Sequence, residues 1–91
     1  MDYSVLLKEL ESLAQQLGIK IRYEKGNFDG GYCILKDQKI LVINKKLFDS
    51  RKSSILARGI AEIGIDNLYI KPAIRQYIED EVAKFSKGAG K

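Results

Sequence analysis

The run Ile40-Leu41-Val42-Ile43 constrains this chain more than any other four residues. It is continuously apolar and lies between polar segments, the pattern of a strand buried inside a sheet. In a chain of 91 residues the remaining elements must cover it. A short link follows, then a helix predicted over about Ser50 to Ile63. Ile55, Leu56, Gly59, Ile60 and Ile63 form its inner face. Asp49 or Ser50 suits its cap, and Gly64 ends it with Ile65 available to pack back.

The elements before this pair are equally well punctuated. Leu6, Leu10, Leu13, Ala14 and Leu17 recur at three and four, which predicts an amphipathic helix over 3–17, widened near its start by Tyr3, Val5 and Leu7. Asp2 or Ser4 can cap it, and Gly18 stands where a left-handed residue closes a helix. Ile19 to Glu24 alternates apolar and charged residues, the pattern of a half-buried strand. Residues 25–31 hold three glycines with Asn27 and Asp29, a loop. Tyr32 to Leu35 is a second strand, and Lys36-Asp37-Gln38-Lys39 is a tight turn into the third, making an antiparallel hairpin.

After Gly64, Pro72 marks the start of a third helix with Ile74, Tyr77, Ile78, Val82 and Phe85 on its apolar face. The expected fold is therefore α+β, in the order helix-strand-strand-strand-helix-helix. Its small antiparallel sheet is covered by helices on one face. Residues 1–86 form one domain and 87–91 a flexible basic tail.

Composition narrows the chemistry. The chain is 45% hydrophobic and 31% charged, an ordinary globular balance. There is no histidine, and Cys33 is the only cysteine, so an internal disulfide is excluded. No signal peptide and no apolar run near the ~20 residues of a membrane span is visible, which makes the cytoplasm the expected compartment and a membrane partner unexpected. Of the net charge of +4, the whole surplus falls between Gly31 and Lys52. Lys45, Lys46, Arg51 and Lys52 cluster there as candidate contacts for phosphate or an acidic partner, although a solvated surface accounts for the same residues.

Gly18-Ile19, Gly30-Gly31, Ile43-Asn44, Arg51 and Leu56-Ala57 resemble, in order and spacing, the ImmA/IrrE type of bacterial zinc peptidase. In that family a strand ending in Ile-Asn leads to a helix carrying two histidines and a glutamate. The resemblance spans residues 5–65 and implies the family's fold. At the positions that follow Leu56-Ala57 this chain has Arg58 and Gly59, and Glu62 falls near the second ligand position. Arg58 and Glu62 are thus degenerate ligand-equivalent positions. Without ligands or general base the resemblance implies no zinc, no other cofactor and no catalysis. Arg58 and Glu62 also stand one turn apart, the spacing of a surface ion pair.

A helix, three strands and a helix is also the order of a double-stranded RNA-binding domain, which sets a basic helix start over phosphates. Arg51-Lys52-Ser53-Ser54 resembles such a start, with Lys45 and Lys46 nearby. The family's proline- and histidine-containing loop is missing, and Tyr32 suits the core better than a stacking platform. The loop Gly26 to Gly31 matches no phosphate-binding fingerprint and serves strand reversal, with Phe28 at its tip as a candidate partner contact. Cys33 has no histidine to deprotonate it and reads as a small strand residue. Glu79-Asp80-Glu81 reads as a solvated face.

These residues lead to the expectation of a small non-catalytic protein-interaction module, with a nucleic-acid-binding module as the alternative. Pairing of the Ile19–Glu24 edge between two chains would give a homodimer.

Overall fold

The computed structural model describes residues 2–35, 37–66 and 68–89, with side chains for all of these except 32–35 and 85–89. Helix α1 (Tyr3–Gln16) is followed by strands β1 (Ile19–Glu24), β2 (Gly30–Leu35) and β3 (Gln38–Asn44). Helices α2 (Asp49–Ile63) and α3 (Pro72–Ala89) complete the α+β order expected from the sequence. No helix among the described residues is long and apolar enough to cross a membrane.

The local signals act where they stand. Asp2 caps α1 by accepting a hydrogen bond from the Ser4 amide at 3.0 Å. Gly18, at φ 78°, takes the left-handed turn that releases the chain into β1. Helix α2 differs from expectation at its start. Phe48 is the N-cap and makes no side-chain capping bond, while Asp49 already belongs to the first turn. Helix α3 continues to Ala89, so residues 87–89 of the expected tail are helical backbone, and residues 90 and 91 lie outside the described residues.

The sheet is mixed rather than purely antiparallel. Its order is β1-β3-β2, with β2 antiparallel to β3 and β1 parallel to it. The physical reason lies in the apolar run. The central position is flanked on both edges, so it takes the strand with the continuous aliphatic run, and β2, which opens on Gly30-Gly31, goes outside. Two chain reversals then leave β3 running in the direction of β1. The loop from Glu24 to Gly30 must pass over the end of β3 to reach the far edge.

Register assigns the faces. Ile19, Ile21 and Tyr23 stand beside Lys39, Leu41 and Ile43 on the helix side. Ile19, Leu41 and Ile43 join Leu6, Leu10, Leu13, Leu56, Ile60 and Ile78 in one core. Lys20 and Arg22 stand beside Ile40 and Val42 on the other side, where the two charged residues are exposed and Ile40 is buried apart from that core.

Helix α2 lies between α1, α3 and the sheet, and its residues 53–57, Gly59 and Ile60 are buried. Gly59 explains how it comes so close. A Cβ there would stand 2.6 Å from Leu41 Cδ1. Gly30 is required for a different reason: at φ 151° it faces the Val42 carbonyl, which any Cβ would strike.

On an exposed helix, glycine to alanine gains up to about 1 kcal/mol. Here overpacking against Leu41, which costs about 1–3 kcal/mol, outweighs that gain. Gly59→Ala is expected to destabilise the protein by about 1 kcal/mol in chemical denaturation. In a Leu41→Ala background it is expected to be neutral or stabilising. A stabilising Gly59→Ala in the otherwise unchanged chain would contradict the close helix–sheet contact.

Candidate functional site

The end of the sheet where β3 meets α2 is organised by one buried side chain. Asn44 is the last residue of β3 and only 8% exposed. Its Nδ2 donates to the carbonyls of Gly26 at 2.9 Å and Phe28 at 2.7 Å, and its Oδ1 accepts from the Lys46 amide at 3.0 Å. Its backbone amide donates to the Asp29 carbonyl at 2.8 Å, and the next amide, of Lys45, donates to Glu24 at 3.0 Å. The loop that crosses from β1 to β2 is thereby bound to the turn that leads into α2. Buried polar groups are costly when unpaired, so this set of bonds holds both segments in one arrangement.

Two aromatic side chains emerge from this junction. Phe28 lays its ring against Gly26, where a Cβ would collide with it, and remains 40% exposed. Phe48 is 84% exposed, whereas its neighbour Leu47 packs against the core. The turn is therefore pinned inward at Leu47 and outward-facing at Phe48.

The four basic residues that the sequence groups together divide in two. Arg51 pairs with Asp29 at 2.6 Å, and the Lys52 ammonium stands 5.4 Å from the centre of the Tyr23 ring. Lys45 and Lys46 are exposed in the turn and form no ion pair among the described residues, and the same holds for Lys25 in the crossing loop. Glu24, Asp29 and Asp49 lie in the same strand ends, loop and helix start, so this is a mixed surface with three uncompensated lysines. Phe48 and Lys25 escape a reading of the sequence alone. The one signal for Phe48 is a large aromatic at the cap position, where Ser, Thr, Asp or Asn is usual.

Tyr23 joins this end to the rest of the fold. It donates a hydrogen bond to Glu11 of α1 while Lys52 of α2 stands over its ring. Burial first, then the bond to Glu11 and the charges of Glu11 and Asp49, push its hydroxyl well above the ordinary tyrosine range. Tyr77 of α3 is raised likewise, by burial first and then by the nearby Glu81.

Arg58 is half-buried, Gly59 abuts Leu41, and Glu62 is exposed. No group of three or more His, Cys, Asp or Glu side chains able to hold a metal occurs among the described residues. The acidic run of α3 needs a correction. Glu79 and Asp80 are exposed, but Glu81 is 7% exposed, accepts a hydrogen bond from Ser54 at 2.6 Å and pairs with Lys84 at 3.2 Å. Val82, expected on the inner face, is exposed instead. The side chains of Tyr32, Cys33 and Phe85 lie outside the described residues. At the opposite end of the sheet, an open depression of about 330 Å³ is lined by Leu17, Gly18, Lys20, Asp37, Gln38 and Lys39.

No family model, curated protein or solved structure matches the chain.

Both raised tyrosines bind their protons more tightly in the folded state than in the unfolded chain, where tyrosine ionises near pH ~10. Their contribution to stability is therefore fully present below that pH and is lost as pH rises above it. Denaturation midpoints are expected to be flat in these groups up to about pH 10 and to fall beyond it. Tyr23→Phe and Tyr77→Phe should each reduce that alkaline slope. An unchanged slope in both variants would contradict this account.

Proposed function

We propose that this chain is a small non-catalytic protein-interaction module whose partner meets the end of the sheet carrying Phe28, Lys45, Lys46 and Phe48. The observation that supports this most is Phe48, an apolar side chain left 84% exposed beside a turn fixed by hydrogen bonds to Asn44 and from Lys45 to Glu24. Burying a phenylalanine gains about 1.5–3 kcal/mol, and placing it on an ordered turn reduces the entropy lost on binding. Aromatic anchors surrounded by charged residues are the usual anatomy of a protein interface.

The degenerate zinc-peptidase-like scaffold belongs to this reading. Arg58, Gly59 and Glu62 stand where the family that the sequence resembles has its ligands and base, and Gly59 is occupied with packing against Leu41.

Nucleic-acid binding through Lys45, Lys46, Arg51 and Lys52 is less well supported. Arg51 is engaged with Asp29 and Lys52 with Tyr23.

The experiment is site-specific photocrosslinking in the cells from which the chain derives. A benzophenone amino acid replaces Phe48 or, as a control, the exposed Gln15 of α1. A discrete protein adduct is expected from position 48 and not from position 15, and it should disappear when Lys45→Glu and Lys46→Glu are combined. Adducts to nucleic acid alone, or equal protein adducts from both positions, would contradict the proposal.

A further inference from the structure

The uncompensated charges and the exposed rings at this end also define the chemistry of what binds them. Lys25, Lys45 and Lys46 are exposed, and no carboxylate among the described residues pairs with them. They stand on the two segments that Asn44 bonds together, so all three belong to one junction. Phe28 and Phe48 rise from the same two segments. The Phe28 ring lies against Gly26 and is 40% exposed.

Resting on the interaction reading above, we infer that the partner presents a short acidic segment bearing at least one aromatic or aliphatic side chain. That side chain packs on Phe48 and Phe28, and the carboxylates of the segment lie over Lys25, Lys45 and Lys46. Charge complementarity selects the sign of the segment. The rings select its apolar residue. A uniform polyanion satisfies only the charged half of this arrangement and leaves Phe28 and Phe48 uncovered.

The two kinds of contact act on different steps of binding. Exposed lysines steer encounter, so they govern the association rate and its salt dependence. A buried ring governs dissociation. Phe48→Ala is therefore expected to accelerate dissociation at least tenfold with little change in association. Lys45→Glu combined with Lys46→Glu should slow association and remove most of its salt dependence. Gly26→Ala, which displaces the Phe28 ring, should weaken binding without altering that dependence.

The test uses the full chain and four fluorescein-labelled probes in stopped-flow and anisotropy measurements. These are a glutamate-rich peptide with one tryptophan, the same peptide with the tryptophan replaced by serine, a lysine-rich peptide with the tryptophan, and single-stranded RNA. Phe48 is exposed, so its alanine variant retains the fold, and circular dichroism verifies this. Saturable binding of the first probe, at least tenfold tighter than the other three and divided between rates as described, supports the inference. Equal binding of the serine peptide, or tighter binding of RNA, overturns it in favour of a polyanion site. Absence of binding by the first probe while the Phe48 photoadduct persists overturns the acidic segment and leaves the interaction reading intact.

Discussion

A single side chain at the end of the central strand sets the geometry on which the rest of this surface depends. A strand order that puts β3 between β1 and β2 obliges the connecting loop to cross over the end of β3. Such a crossing exposes backbone carbonyls to a partly buried site. Asn44 resolves this, because an amide can donate two hydrogen bonds and accept others at once. It donates to Gly26 and Phe28 in the loop below and accepts from Lys46 in the turn beyond. Aspartate could accept but not donate, and alanine could do neither. The clamp therefore depends on the amide and not merely on a polar residue.

From this junction the other features follow. Leu47 turns into the core, Phe48 turns out, and α2 begins. Because Gly59 lets α2 approach Leu41, the helix is fixed on the same strand that carries Asn44. Tyr23 adds a second connection, joining α1 through Glu11 and α2 through Lys52. The exposed groups thus rest on a strand and a helix that are packed into the core. The surface that this reading assigns to a partner is presented, not assembled on binding.

Most of the fold was legible in the sequence because its signals are local. Helical spacing, Gly18, Pro72 and the apolar run at Ile40–Ile43 each specify structure through neighbours a few residues away. What escaped was decided by distant residues. Parallel pairing of β1 with β3 comes from competition for the central position, which a hairpin signal cannot report. The burial of Glu81 comes from Ser54 on another helix, 27 positions earlier, and a run of three acidic residues gives no hint of which one faces inward. Of the candidate site, Lys45, Lys46 and Phe28 were visible in the sequence. The internal engagement of Arg51 and Lys52 was not, because Asp29 and Tyr23 are brought to them by the tertiary fold.

The central claim is that Asn44 makes this end rigid, and amide hydrogen exchange by NMR tests it most directly. In the unchanged protein the amides of Asn44, Lys45 and Lys46 should be protected as strongly as those within β3. In Asn44→Asp that protection should fall at least tenfold while α1 and the buried part of α2 keep theirs. Rapid exchange at these three amides in the unchanged protein, or equal protection in Asn44→Asp, would contradict the account.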